Sequence, residues 1–173
     1  MKYPVIAAAL VFVAAGMAAS AEDRKDAQAV SDSKISLTEA IHAAEKAGGG
    51  RAVDAEIEGS KGGHARYEVE VLSSDGKKLT EYTINASTGK VEKTSNEAVE
   101  KLMTRVTPDD LQAAETTLTA AIREAEQQTG GKVIDAETGA RGGALHYELK
   151  VAMADGKTDK VKVDGATGKI ATR

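Results

Sequence analysis

The sequence predicts an α+β protein made of two repeated modules, each with one helix packed on a small antiparallel sheet in the order α-β-β-β. The segment "GGHARYEVEVLSSDGK", residues 62–77, returns eighty positions later as "GGALHYELKVAMADGK", residues 142–157. Helical periodicity precedes each copy, and strand alternation with Asp-Gly turns runs through it. A period near eighty indicates a duplicated domain, because the repeats of a solenoid usually span about 20–50 residues.

The first 21 residues are predicted to be a secretory signal peptide. Lys2 precedes an apolar run from Val5 to Val13, and Ala19-Ser20-Ala21 provides a cleavage site of small residues. A membrane anchor is the alternative, but the apolar run is shorter than the ~20 residues that a spanning helix needs. We therefore expect a periplasmic or secreted protein that is cleaved after Ala21 and keeps no stable membrane anchor.

The composition excludes several classes of function. The chain of 173 residues has 23 Lys and Arg, 27 Asp and Glu and no Cys, with a formal net charge of −4. The absence of Cys excludes a disulfide framework and a lipid-bearing cysteine. Because charges of both signs are mixed along the chain, we expect no binding to nucleic acid, which requires clustered positive charge.

The first module is predicted over residues 34–93, after a flexible polar arm over residues 22–33. Ser36 and Glu39 form a capping box at the start of its helix, and three glycines at 48–50 end that helix. The segments "RAVDAEIEG", "RYEVEVLSSDGK" and "KLTEYTINASTGKV" then alternate apolar and polar residues as strands do. Asp75-Gly76 predicts a two-residue type I′ hairpin, which has positive φ at both central residues.

The second module is predicted over residues 111–173, and a helical linker over residues 94–110 joins the two. "TLTAAIREAEQQTGG" repeats the helix, although Ala120 replaces the glutamate of the capping box. Pro108 follows Thr107, an arrangement typical of a helix start. Because an apolar stripe continues from there, we expect the second helix to begin near Pro108 and to be much longer than the first.

Both copies resemble the PepSY module. The shared features are the Leu-Thr then Ala-Ile helix, a glycine stop, a Val-x-x-Ala-Glu strand, a Tyr-Glu-Val or Tyr-Glu-Leu strand, an Asp-Gly hairpin and a final Thr-Gly-Lys. The resemblance implies a small α+β unit like those in propeptides of secreted metalloproteases. It also implies a non-catalytic role in restraining peptidases or in binding other proteins. In propeptides a protease domain follows, but we expect none here, so any inhibition would act on a separate partner.

The sequence indicates no catalytic residue, no cofactor and no metal site. His42, His64 and His146 are not matched by histidine in the other copy, and no cysteine could complete a metal cluster. The glutamates at 56, 58, 68 and 70 alternate along strands, so we expect a solvated face, with a cation site or a surface for a basic peptide as alternatives. Candidate interaction residues lie in the two matched loops and at the strand starts that follow them: Lys61, His64, Tyr67, Arg141 and Tyr147.

The expected function is that of an exported, non-catalytic protein-binding module that restrains or modulates a separate peptidase. Its partner would be another envelope or secreted protein, and an edge strand offers a way to bind an extended peptide. The alternative is a periplasmic sensor or carrier for a small ligand or cation. A purely structural envelope protein is a third hypothesis.

Overall fold

The computed structural model describes residues 17–59 and 64–171. Its eight strands are β1 (Met17–Ala18), β2 (Gly50–Glu58), β3 (Arg66–Ser73), β4 (Leu79–Asn85), β5 (Val91–Glu97), β6 (Lys132–Arg141), β7 (Ala144–Ala152) and β8 (Lys157–Asp164). Its helices are α1 (Ala21–Asp32), α2 (Leu37–Gly48), α3 (Val99–Met103), α4 (Pro108–Ala113) and α5 (Leu118–Thr129). The predicted α+β class is therefore confirmed.

All eight strands belong to one antiparallel sheet, in the order β1-β8-β7-β6-β2-β3-β4-β5. The two modules share this sheet because β2 of the first pairs with β6 of the second. The second module has the element order α5-β6-β7-β8, whereas the first has the fourth strand β5 after α2-β2-β3-β4. The sheet is thus continuous across both modules, which the repeat alone did not predict.

Helices α2 and α5 cover one face of the sheet. Helix α2 packs on β2, β3 and β4, helix α5 packs on β6, β7, β8 and β2, and the two helices touch each other. Their apolar stripes were predicted from the 3.6-residue period and are buried, with Ile41 and Ile122 at the centres of the two helices. One apolar cluster contains buried residues of both modules. The modules therefore share a core as well as a sheet.

The predicted capping box of α2 and the predicted glycine stops of α2 and α5 are confirmed. The side chain of Ser36 accepts from the Glu39 backbone N–H, and Glu39 binds the Ser36 N–H in return. In the second copy Thr117 accepts from the Ala120 N–H, without a reciprocal carboxylate. Glycines in the left-handed conformation end both helices.

Residues 22–33 form most of helix α1, so the prediction of a flexible arm is wrong for this segment. The helix begins with a capping box between Ser20 and Asp23, two residues that the sequence analysis divided between signal peptide and arm. Ala29 is buried on its inner side. Apolar burial and capping together order a segment whose weak apolar pattern did not indicate a helix.

The linker residues also depart from the prediction of a long second helix. Thr107 caps α4 as expected, with Pro108 in its first turn, but α4 ends at Ala113 and Ala114 is extended. Arg51 of β2 donates hydrogen bonds to the carbonyl oxygens of Leu111, at 2.6 Å, and of Thr116. These tertiary contacts hold the chain away from a continuous helix, and Thr117 starts a new one.

The Asp-Gly hairpins are not of type I′. Gly76 has positive φ, at 70°, and Gly156 likewise, at 78°, but no residue other than glycine among the described residues does. The Gly76 N–H donates to the Ser73 carbonyl, so the turn is one residue earlier than expected and the glycine follows it. A type I turn followed by a left-handed residue is the usual solution for hairpin loops longer than two residues.

The predicted signal peptide lies outside the described residues as far as position 16 and stays a prediction. Residues 17 and 18 form β1, which pairs with Lys157 and Thr158 at the start of β8. Within residues 17–59 and 64–171, no helix is both long enough and apolar enough to span a membrane.

Candidate functional site

The two modules meet along a short stretch of strand that we call the seam. It consists of residues 54–56 of β2 and residues 135–137 of β6, which have the same sequence, Asp-Ala-Glu, in both copies. Ala55 lies opposite Ala136, and the antiparallel register places each aspartate opposite a glutamate. Because the strand is duplicated and its two copies pair, the three residue pairs of the seam contain four carboxyl groups.

The acidic residues of the seam continue into an acidic row on the face of the sheet opposite α2 and α5. Directly opposed residues on neighbouring strands share a face. Following the register from β7 through β6, β2 and β3 to β4 gives one carboxylate on each of five adjacent strands: Glu148, Glu137, Asp54, Glu70 and Glu81. The wet acidic face expected from the glutamates of β2 and β3 thus extends across both modules.

A second line of paired residues runs beside this row. Lys150, Asp135, Glu56 and Glu68 are consecutive cross-strand partners on β7, β6, β2 and β3. Opposite charges face each other only in the pair of Lys150 and Asp135. The pairs of Asp135 with Glu56 and of Glu56 with Glu68 place acid opposite acid. Like charges directly opposite one another weaken strand pairing.

Two basic side chains compensate part of this charge. Arg105, between α3 and α4, forms an ion pair with Glu137 of the second module and lies 3.9 Å from an Asp54 carboxylate oxygen of the first. Lys150 of β7 lies 3.2 Å from Asp23 of α1 and 3.6 Å from Asp135. Both cations connect separate elements around the seam.

The remaining charge changes the acidity of the carboxyl groups on β2. Burial, followed by the charges of Glu70 and Asp135, raises the pKa of Asp54 to about 7, and Arg105 opposes this shift. Burial, followed by the charges of Asp135 and Glu68, raises the pKa of Glu56 to about 7 as well. Two carboxyl groups of the seam therefore change charge near neutral pH.

The outer edge of β5 is the second feature that could take part in recognition. This seven-residue strand pairs with β4 on one side, and no strand among the described residues pairs with its other side. Val91, its first residue, is an exposed large apolar side chain at 40% exposure. Glu92 binds His64 Nε2 at 3.0 Å, Arg66 Nε at 3.3 Å and Asn85 Nδ2 at 2.8 Å. This polar cluster holds the start of the edge strand against β3 and β4.

The five predicted interaction residues fall into different environments. Tyr67 and Tyr147 are each 1% exposed, and their hydroxyls donate to the backbone carbonyls of Ile35 and Thr116. Their rings therefore belong to the core and not to an accessible surface. His64 and Arg141 are exposed, at the start of β3 and the end of β6. Lys61 lies outside the described residues.

The geometry makes Arg51 and Arg105 important, although the sequence analysis identified neither. Arg51 stands where the second copy has Lys132, and both are ordinary cations at the start of a strand. Nothing in the local pattern distinguishes the arginine that crosses between modules from the lysine that pairs with its own helix through Glu126. The recurrence of Asp-Ala-Glu could have indicated the seam, because a strand can pair with its own duplicate.

Metal coordination has no candidate within the described parts of the chain. No group of three or more His, Cys, Asp or Glu residues there is arranged to hold a metal ion. His42 and His146 each lie beside a glutamate, with the closest approach 3.8 Å to Glu45 and 3.2 Å to Glu148. These contacts are pairwise.

Comparison with known proteins identifies the class of the repeated module. The chain belongs to the PepSY family, described as "peptidase propeptide and YPEB domain", whose model matches residues 34–95 and 117–172. A search of curated protein sequences finds no match. Among solved structures the chain is similar to a "putative lipoprotein" from Clostridium difficile 630, with 19% identity and a TM-score of 0.48, covering 82% of this chain and 93% of that one.

Proposed function

We propose that this protein is an exported, non-catalytic binding module that restrains or modulates a separate peptidase. The observation that carries the proposal is the outer edge of β5, which has backbone groups available for an extended peptide. The chain belongs to a family whose description names peptidase propeptides, and this supports a peptidase as the partner. This protein has an acidic net charge with acidic and basic residues mixed along the chain, which suits a soluble binding module in the periplasm or outside the cell.

An edge strand can bind a peptide by adding it to the sheet. Main-chain hydrogen bonds then supply affinity, and side chains beside the edge supply specificity. Glu92 and Lys93 alternate along β5, and the exposed His64 lies against its start. A segment of a peptidase that pairs with β5 would be held outside the productive geometry for cleavage. Arg141 ends the central strand β6, four strands away from β5, so it would serve a separate contact.

Inhibition assays with a matched pair of edge variants test this proposal. Along an edge strand, successive residues point their backbone N–H and C=O groups alternately to the inner neighbour and outward. One of the variants Lys93→Pro and Thr94→Pro therefore removes a backbone hydrogen bond to β4. The other removes a backbone N–H that faces outward from the edge. We expect the wild type to slow at least one periplasmic or secreted peptidase, and the correctly folded proline variant to lose that effect. The proposal fails if a broad panel shows no inhibition and no peptidase co-purifies.

The acidic face favours a second candidate function, a carrier or sensor for a cation or small basic ligand. Glu70 and Glu81 lie opposite each other, and partial burial raises the pKa of Glu70, so a bound cation would relieve repulsion there. A ligand that prefers the folded state raises the melting temperature. Melting curves with a panel of metal ions, polyamines and basic peptides test it, and a flat panel removes this candidate.

A further inference from the structure

The seam is the shortest pairing between long strands of the sheet. β2 and β6 are in register over three residue pairs, whereas β2 with β3 and β6 with β7 are each in register over eight or more. Two of the three seam pairs place acid opposite acid, Asp54 with Glu137 and Glu56 with Asp135. Such pairs oppose the backbone hydrogen bonds that hold the modules edge to edge.

The groups around Asp54 come from three elements. Glu70 faces it from β3, Glu137 and Asp135 from β6, and Arg105 from the segment between α3 and α4. Arg105 is the one cation among these groups, and its ion pair with Glu137 offsets much of its positive charge. Ionised Asp54 is therefore left among more carboxylates than cations.

The groups around Glu56 repeat this imbalance. Asp135 faces it from β6 and Glu68 from β3, Asp26 of α1 adds a more distant negative charge, and Glu58 follows on its own strand. Lys150 of β7 reaches Asp135 but also binds Asp23 of α1. Lys150 is thus shared between two acids.

We propose that the seam is a pH-sensitive joint between the modules, which pairs tightly when Asp54 and Glu56 carry protons and loosens when both ionise. The seam carboxylates, which are partly exposed in the paired state, move apart and become fully hydrated in the loosened state. The shared core and the linker keep the modules connected, so the change is a local opening of the 54–56 and 135–137 pairing. This inference concerns regulation and stands independently of the partner proposed above.

The sign of the effect follows from linkage. The pKa values of Asp54 and Glu56 are raised to about 7 in the paired state, and they return toward ordinary carboxyl values once the seam opens. The paired state therefore holds more protons than the open state between those limits. Raising the pH from about 5 through about 7 favours the open state, and the penalty on pairing is complete above that range.

Hydrogen exchange measured by NMR on the whole chain tests the joint. Protection factors, corrected for the intrinsic exchange rate at each pH, are compared at about pH 5.5 and pH 8 for the seam amides and for the β3–β4 amides. We expect seam protection to fall at least tenfold more than β3–β4 protection, since each pKa unit by which pairing raises a seam carboxyl corresponds to a factor of ten. An equal change in both sets overturns the proposal.

Variants identify the groups responsible. The double variant Asp54→Asn/Glu56→Gln should keep its seam protection unchanged between the two pH values. The matched control Glu81→Gln, on the same acidic row but outside the seam, should behave as the wild type does. If the double variant does not fold, each single variant should reduce the selective loss of protection. A selective loss that persists in the folded variants contradicts the proposal.

Discussion

The two buried tyrosines show what the repeat preserves at the scale of single residues. Tyr67 donates its hydroxyl hydrogen bond to Ile35 at 2.8 Å, and Tyr147 donates to Thr116. Each acceptor immediately precedes the N-cap residue of a long helix. The tyrosine thus joins the central strand to the start of the helix in both copies, which explains its recurrence without a role in recognition.

Removing these hydroxyls should destabilise the protein without changing its fold. We expect Tyr67→Phe and Tyr147→Phe each to lower the free energy of unfolding by about 1–2 kcal/mol. The first removes the hydroxyl donor of the Ile35 carbonyl, and the second removes a partner from both the Thr116 carbonyl and the Arg51 guanidinium. Tyr82→Phe is the control, since its hydroxyl makes no hydrogen bond within the described residues, and it should change stability by less than about 0.5 kcal/mol. Urea unfolding measures all three. Equal losses in the three variants would show that the hydroxyl bonds contribute nothing specific.

Sequence reasoning placed these tyrosines correctly on their strands but could not identify the partners of their hydroxyls. Their alternation with Glu68 and Glu148 indicates an inward ring. The acceptor carbonyls are 32 and 31 residues away along the chain, so no local pattern could name them. A hydroxyl reaches such an acceptor only after the helix has packed on the sheet.

Helix α1 is the element whose formation depends most on contacts with the rest of the protein. Asp26 accepts a hydrogen bond from the Gly59 N–H at the end of β2, and Asp23 pairs with Lys150 of β7. Helix α1 therefore contacts both modules. Its own apolar surface is small, and Ala29 is its one buried residue. Such a helix is stable mainly through docking, because short isolated helices are marginal in water.

Placing a charge at Ala29, the buried position of α1, distinguishes a packed helix from a flexible arm. Ala29→Glu should lower the free energy of unfolding by about 2 kcal/mol, since it buries a charge without a partner. Lys25→Glu, at an exposed position of the same helix, should change it by less than about 0.5 kcal/mol. Thermal and urea unfolding of both variants give the comparison. If both are neutral, α1 does not pack in solution as it does here.

Arg51 acts at the scale of the whole molecule, because one side chain of the first module binds α4, the segment before α5 and strand β7. Its guanidinium donates to the carbonyls of Leu111 and Thr116 and to the Tyr147 hydroxyl, at 3.0 Å. Together with the seam and the shared core, these bonds fix the linker between the modules. We therefore expect the two modules to unfold in one cooperative transition.

Replacing Arg51 should weaken this connection far more than replacing its counterpart in the repeat. Arg51→Met should lower the free energy of unfolding by about 3 kcal/mol, because two buried carbonyls lose charged donors. Lys132→Met, at the equivalent strand start, loses one exposed ion pair and should cost less than about 0.5 kcal/mol. Urea unfolding followed by probes in each module measures both the stability and the cooperativity. Equal effects at the two positions would exclude the bridging role of Arg51.

The sequence by itself determined the repeated unit, the class of fold, both ends of α2, the start of α4, the glycine stop of α5 and the alternation of the strands. These features depend on neighbouring residues: caps, glycine stops and the periods of apolar side chains act over a few positions. The PepSY resemblance was determined in the same way, by the order of such local features in both copies.

Only the tertiary structure decided how the copies are joined. The seam, the acidic row over five strands, the docking of α1 and the bridge from Arg51 all bring together residues far apart in sequence. The sequence around Asp54 would be the same whether β2 were an outer edge strand or a central strand. Burial within the joined sheet, followed by the charges of Glu70 and Asp135, raises the pKa of Asp54. Pairing between distant strands such as β2 and β6 depends on the packing of the whole chain.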